Sequence, residues 1–448
     1  MARRHGYALL SAIAALIVGL SAAIYAGVSA GGTGVVASGG DGGGAGPGRG
    51  DRVAPASTGV WTGTWGASPV AGEPGTGTDG MAGRSVRNVV HTSVGGTSAR
   101  ITLSNLYGTG PLTFTHATLA LAAGGDGAGA AAGTMRRVTF GGSATVTLPA
   151  GAEVTSDPVR LLVPTDSDVL VTTYSPTASG PVTSHPHARQ TNYIAEGEHT
   201  ADLAGTAYAP DRADRWRYVT ALDVSGRAAE GTVVALGDSL TDGVTSTADA
   251  DRRWPDVLAD RLRQAVDAGS DVPLHGVVNE GISGNRVLTD GTGHPAENQS
   301  GLHRFQRDVL GRPGVRVVVV DLGINDILRD PGVADPDRIL GGLRTLVQRA
   351  HAHGIKVVGA TLMPFEGHRG YDDAREGVRQ EVNAAIRQGR VFDAVADFDA
   401  ALRDPYDPRR FRPDYDSGDH LHPSDKGYRV MARTVRLDDL RTALPARL

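Results

Sequence analysis

The chain predicts two architectures in series: an antiparallel β-sandwich over residues 59–226, then an α/β domain on a parallel sheet over residues 232–444. Three observations predict this. Short alternating runs broken by turn residues fill the first part. Nearly continuous apolar runs alternate with amphipathic helical stretches in the second, as expected for strands covered on both faces. The texture changes between them, at Thr232.

Ahead of both parts, Arg3 and Arg4 precede an uncharged stretch from Tyr7 to Ala30, and Val28-Ser29-Ala30 has the small side chains of a cleavage site. Residues 1–30 read either as a cleaved export signal or as a retained membrane anchor, since about 20 apolar residues span a bilayer. The arginines keep that end cytoplasmic in both readings. The remainder is expected outside the cytoplasm, secreted or anchored, with membrane contact confined to the N-terminal segment. Residues 31–58 are rich in Gly, Ala, Ser and Pro. They hold too little apolar surface to offset the entropy of ordering, and read as a linker.

In the β-rich part, Ile101 and Leu103 alternate with Thr102 and Ser104, and Ala144–Leu148 alternates until Pro149. Val159–Val163 and Val169–Tyr174 follow, and Trp216–Leu222 is predicted as one last strand. His185-Pro186-His187 falls between runs and reads as a surface loop. In the α/β part the predicted strands are Val233–Leu236, Val277–Val278, Val315–Leu322, Lys356–Leu362 and Val391–Phe398. Helical periodicity marks Pro255–Ala268, the stretch holding Ile339, Leu343, Leu346 and Val347, and the stretch holding Val378, Val382 and Ile386. A closing helix is predicted from Lys426 to about Leu444.

Bulk chemistry narrows the function. The formal net charge is −5 and no basic stripe is present, so nucleic acid is not an expected partner. The absence of cysteine excludes disulfides, thiolate metal sites and a Cys nucleophile. No Gly-Lys-Ser/Thr phosphate loop follows a glycine run. No cofactor or metal is expected.

Parallel sheets bind ligands beyond the carboxyl ends of their strands, and the informative residues lie there. Gly237-Asp238-Ser239-Leu240 follows the first strand, Gly281-Ile282-Ser283-Gly284-Asn285 the second, and Gly323-Ile324-Asn325-Asp326 the third; Asp419-His420-Leu421-His422 precedes the closing helix. Ser239 offers a hydroxyl that needs a base to become a nucleophile. His422 is that base, because imidazole titrates near neutrality. Asp419, three residues earlier, is placed to hold the far ring nitrogen and stabilise imidazolium. Asp416 is the reserve carboxylate, and a dyad without full help from an acid stays open. The backbone N–H groups of Ser239 and Gly284 and the amide of Asn325 form a candidate oxyanion hole. Asp238 and Asp326 read as structural, His420 as a loop histidine, and Arg286 as a candidate substrate contact.

Taken together, these four blocks resemble the SGNH (GDSL) hydrolase family across roughly Thr232 to Arg441. The resemblance implies a flavodoxin-like α/β/α fold and esterase or lipase activity, with Ser239 as nucleophile, Asp419 and His422 completing the triad, and Gly284 and Asn325 as oxyanion donors. Gly63-Thr64-Trp65-Gly66-Ala67-Ser68-Pro69 and Ser104-Asn105-Leu106-Tyr107-Gly108 are similar to secreted bacterial members with a β-rich domain in front. The expected substrates are O-acyl esters, with acylated polysaccharide and longer-chain lipid both open. The reading from another class is a carbohydrate-binding or adhesion protein with an inert hydrolase domain.

Overall fold

The computed structural model describes residues 61–124, 127–211, 214–226, 228–291 and 298–442. The N-terminal segment and linker lie outside the described residues. Among the described residues no helix is long and apolar enough to cross a membrane.

The α/β part is built on five parallel strands: β1 (Gly231–Gly237), β2 (His275–Gly281), β3 (Val315–Asp321), β4 (Lys356–Ala360) and β5 (Ala394–Ala396). Their spatial order is β2-β1-β3-β4-β5, with every neighbouring pair parallel. This is a doubly wound order, and its switch point lies between β1 and β3. Alternate residues serve opposite faces. Val234, Leu236, Val318 and Val320 pack with one helical layer, and Val233, Ala235, Val317 and Val319 with the other.

The helices that matter here are α1 (Ser239–Asp242), α2 (Trp254–Asp267), α3 (Gly301–Phe305), α4 (Ile324–Leu328), α5 (Pro336–His351), α6 (Asp373–Arg387) and α7 (Asp425–Thr434). Pro255 sits in the first turn of α2 and Pro336 in that of α5, where a missing N–H costs nothing. Three elements differ from expectation. The predicted strand Val391–Phe398 shrinks to β5, because Asp397 leaves the sheet to cap the short helix Phe398–Leu402. The closing helix stops at Thr434 and is followed by a separate tight turn, Leu437–Leu440. Helix α3, capped by the Ser300 hydroxyl, has too short an apolar face to show a period.

The β-rich part is antiparallel throughout its two main sheets. One runs Trp61–Gly66, Val219–Ser225, Gly96–Ser104, Val159–Val163; the other centres on Arg84–His91, Asp168–Ser175 and His116–Leu121. Side chains from both, among them Ile101, Leu222, Val90 and Val171, share one core. The strand expected over Trp216–Leu222 is two strands, Arg215–Arg217 and Val219–Ser225. Tyr218 between them has φ +64°, a left-handed conformation that ends one pairing and starts another.

Both parts belong to one compact unit. The strand Trp61–Gly66 lies across β2, an edge strand of the parallel sheet. Ser93 Oγ accepts the Val277 N–H at 2.9 Å, and the Gly63 N–H donates to Thr232 Oγ1 at 2.9 Å. The backbones touch: a Cβ on Gly276 would stand 2.1 Å from the Gly63 carbonyl oxygen. Replacing Gly276 with Ala is therefore expected to destabilise the protein by about 2–3 kcal/mol. Gly341, in the interior of α5 with open space around its Cα, is the contrast: Gly341→Ala should stabilise by up to about 1 kcal/mol. Denaturant unfolding of the two variants checks the pair, and equal shifts would show that the β2 contact is not tight.

Candidate active site

Three strand ends converge at the switch point. β1 delivers Asp238, whose carboxylate caps α1 by accepting the Leu240 N–H at 3.0 Å. That cap sets the turn on which Ser239 opens the helix, 7% exposed. β2 delivers the turn Ile282–Arg286, in which Gly284 adopts φ +77°. A side chain there would be strained. β3 delivers Asn325 at the start of α4.

Across a gap of 183 residues, His422 Nε2 lies 2.8 Å from Ser239 Oγ. On the far side of the ring, Nδ1 lies 2.6 Å from Asp419 Oδ2. The remaining Asp419 oxygen accepts the backbone N–H of His422 at 2.8 Å and of Leu421 at 3.0 Å. Burial works to raise the Asp419 pKa, but the hydrogen bonds from the His422 ring and these two N–H groups outweigh it. They hold the carboxyl well below the usual range. Asp416, the reserve acid, instead pairs with His420 Nδ1 at 2.6 Å.

The gap is closed by side chains that sequence reasoning missed. Thr245 Oγ1 donates to the Pro423 carbonyl at 2.7 Å, and Tyr428 Oη to the Val244 carbonyl at 2.6 Å. Asp425 accepts from the Thr247 N–H at 2.9 Å and from its hydroxyl at 2.7 Å. These bonds tie the segment after α1 to the residues that directly follow His422. No spacing rule signals them, because the partners are about 180 residues apart.

Asn325 is held in one orientation from both ends. Its Nδ2 donates to Asp238 Oδ2 at 3.1 Å, and its Oδ1 accepts from Arg329 Nε at 3.3 Å. The second Nδ2 hydrogen is left for a ligand, and Asn325 lines the same cleft as Ser239, Gly284 and His422. Arg329 stands one helical turn after Asn325, an i,i+4 relation visible in the sequence. Beneath the site, burial raises the pKa of Asp238, with the Asp321 carboxyl adding repulsion; burial raises Asp321 as well. Asp326 turns away from the cleft and accepts the Val287 N–H at 2.8 Å and the Leu288 N–H at 3.1 Å. Burial pushes it up to about 6 against those two bonds.

The β-rich part forms one wall of the cleft, whose volume is about 850 Å³; Val70, Pro74, Pro186, His187 and Arg215 line it. His185, read from the sequence as a loop residue, is instead buried in the strand Thr183–Pro186. Its Nδ1 is 2.7 Å from the Ser68 carbonyl oxygen and its Nε2 3.0 Å from Asp242 Oδ1. Both partners only accept, so both ring nitrogens carry protons and the ring is imidazolium. Burial opposes that charge, but Asp242 and the Ser68 carbonyl outweigh it and raise the pKa. The other Asp242 oxygen accepts the Ser283 N–H at 3.0 Å and its hydroxyl at 2.5 Å. A β-rich side chain thus braces the turn that carries Gly284. Arg286 is not among the cleft-lining residues; its guanidinium donates to the Asp290 carbonyl.

A second histidine joins the two parts away from the cleft. His91, Asp168 and Asp251 place potential metal-ligand atoms within 4.8 Å of one another. However, His91 Nδ1 lies 2.9 Å from Asp168 and Nε2 3.1 Å from Asp166. Burial lowers its pKa, yet Asp168 and Asp251 carry it up to about 9. Both ring nitrogens face carboxylates, so the group joins the two parts as hydrogen-bonded ion pairs.

Residues 235–430 match the GDSL-like Lipase/Acylhydrolase family. Similar solved structures include a GDSL-like lipase from Bacteroides thetaiotaomicron (20% identity over 46% of this chain and 87% of that one, TM-score 0.32). An acetyl xylan esterase is 19% identical over 45% of this chain and 96% of its own, with a TM-score of 0.34. A mutant of an acetyl-xylooligosaccharide esterase from a Geobacillus species is 23% identical over 48% of this chain and 95% of its own, with a TM-score of 0.33. No curated protein matches the chain.

Two outcomes are expected. His185→Ala strands Asp242 as a buried unpaired charge and should cost about 3–5 kcal/mol in denaturant unfolding; a loss below about 1 kcal/mol would contradict the imidazolium pair. For Asp326, the folded carboxyl keeps a proton that the unfolded chain has released between about pH 4 and pH 6. The folded state binds more protons in that window, so this group's contribution falls as pH rises through it. The stability of wild type relative to Asp326→Asn should be greater at pH 4 than at pH 7, by about 2 kcal/mol. Parallel stability–pH curves for the two proteins would rule out the raised pKa.

Proposed function

We propose that this chain, which carries a GDSL-like lipase/acylhydrolase domain over residues 235–430 and is an ester hydrolase, works through an acyl-enzyme on Ser239. The observation that carries the proposal is the continuous relay from Ser239 Oγ through the His422 ring to Asp419. His422 Nε2 takes the hydroxyl proton as Ser239 Oγ attacks the acyl carbon. Asp419 holds Nδ1–H and stabilises the imidazolium that forms. The carbonyl oxygen gains charge and accepts from the N–H groups of Ser239 and Gly284 and from Asn325 Nδ2. Collapse expels the alcohol, which takes the proton from His422. Water then attacks the acyl-enzyme with His422 again as base, releasing the acid and Ser239.

Short acyl groups on a bulky alcohol such as a polysaccharide are the substrate reading, supported by a wide cleft with walls from two parts of the chain. Longer acyl chains are the second reading, for which Val70, Val244, Leu328 and Leu421 supply apolar surface. Export, with the N-terminal segment either cleaved or retained in the membrane, is proposed from Arg3, Arg4 and the apolar stretch behind them.

Hydrolysis of 4-nitrophenyl acetate tests the reaction. Ser239→Ala should abolish turnover above the uncatalysed rate, and Asn325→Ala should lower kcat by about 100- to 1000-fold. Equal rates for wild type and Ser239→Ala would favour an inert, binding-only domain. A panel of acetyl to octanoyl esters, with acetylated xylan, separates the two substrate readings.

A further inference from the structure

The chain is net acidic, yet its cleft is not. Arg215, Arg329, Arg369, His187 and His368 line it with His422, and among the described residues no Asp or Glu side chain lines it. The three arginines arrive from separate places: a strand of the β-rich part, the end of α4, and the loop between β4 and α6. Arg215 is partly answered by Glu73, whose Oε1 is 3.5 Å from its Nε. Arg329 and Arg369 have no ion-pair partner among the described residues, and both are exposed.

Arg329 stands beside the groups assigned to the oxyanion. Its Nε is spent on Asn325 Oδ1. Its Nη2 lies 2.6 Å from the position a Cβ on Gly284 would take. The terminal guanidinium nitrogens therefore sit over Gly284 with their hydrogens uncommitted. An open, planar cation next to the reacting carbonyl, with a second cation on the facing loop, suits an oxyanion of fixed charge, which a guanidinium binds through two parallel N–H bonds. With a neutral ester it can act only on the charge that develops during the reaction, and it leaves the pair of cations unused in binding.

From this we infer that the preferred substrate is an ester whose non-reacting part carries a carboxylate, and that Arg329, Arg369 and Arg215 select it. The inference rests on the Ser239 hydrolase reading and adds the substrate's charge to it. Charge-assisted hydrogen bonds of this kind correspond to roughly ten- to a hundredfold in kcat/KM. The carboxylate takes no part in bond breaking, so its effect falls on binding and on kcat/KM.

Two acetates of matched shape test it, 4-acetoxybenzoate and 4-acetoxybenzamide. With the full chain at low salt, the carboxylate ester should show at least about tenfold higher kcat/KM. The gap should shrink in about 1 M NaCl, where exposed charges are screened. Arg369→Gln and Arg215→Gln should each raise KM for the benzoate more than for the benzamide, and Arg369→Lys should restore part of the difference. Arg329→Gln should lower both rates, because it also orients Asn325, and should reduce their ratio. Equal kcat/KM for the two esters in the wild type overturns the inference while the hydrolase stands. So does a preference that survives the Gln variants and salt. If neither ester is turned over, the hydrolase reading fails separately. Calorimetry with Ser239→Ala then decides the inference: tighter binding of the benzoate supports it, and equal binding overturns it.

Discussion

The guanidinium of Arg304, fully buried in α3, donates to the Gly237 carbonyl at 2.9 Å, to the Glu280 carbonyl at 2.7 Å and to Asn285 Oδ1 at 3.0 Å. It also reaches Ser68 Oγ and Asp308 at 3.0 Å each. One side chain thus fixes the last residue before the Asp238–Ser239 turn, the end of β2, and the residue after Gly284. A buried cation is tolerated only when its donors are answered. Here they are answered by the ends of the strands that carry the site, so the charge cannot be satisfied unless those ends are in register. Ser68 adds the β-rich part to the same account, since its hydroxyl stands 2.6 Å from Glu280 Oε2 and 2.8 Å from Asp308 Oδ2.

The charges around the site divide by task. Asp419 is kept ionised by hydrogen bonds to both of its oxygens, which suits a group that must face an imidazolium. Asp238, Asp321 and Asp326 are buried behind the cleft and shifted upward, and they act through the atoms they hold: the Leu240 N–H, the Thr241 hydroxyl, and the Val287 and Leu288 N–H groups. His185 is the opposite case, a buried cation that holds an acid in place. The acids behind the backbone are pushed toward their neutral form and the positive charge faces the substrate, which is the polarity that a developing oxyanion requires.

What was legible in the sequence was what is local. The parallel sheet and the β-rich sheets announce themselves through period and turn residues, because burial on one or both faces dictates residue type position by position. The strand-end blocks are legible because several of their residue types are set by the backbone: an Asp that caps a helix, and a Gly at positive φ. The turn that braces Gly284 was not legible. Its support runs from Ser283 to Asp242 and on to His185 and Ser68, partners 41, 57 and 117 residues apart. No periodicity connects such residues. His185 looked like a loop histidine because Pro186 follows it, yet it occupies a strand that pairs with Arg215–Arg217. Arg286 draws attention by adjacency to the Gly284 block, whereas Arg329, one turn beyond Asn325, is the arginine that reaches the cleft over Gly284. The shortened β5 has a similar cause, since a cap at Asp397 competes with the sheet and a capping carboxylate reads like any other polar residue.

The β-rich part is therefore a portion of the site and not an appendage to it. It covers the β2 edge, which would otherwise expose unpaired backbone, and it does so through contacts that include the Ser93–Val277 bond. It supplies Arg215 and His187 to the cleft, and through His185 it reaches the turn of Gly284 from below. His185 and Arg215 stand on strands paired to each other, and His187 directly follows the first, so these contacts cannot be adjusted separately. A sandwich that merely docked beside a complete hydrolase would need no buried cation aimed at an acid on α1. The presence of that pair, in a position where an unpaired charge would be costly, means that the Gly284 turn and the sandwich are held in place by the same interaction.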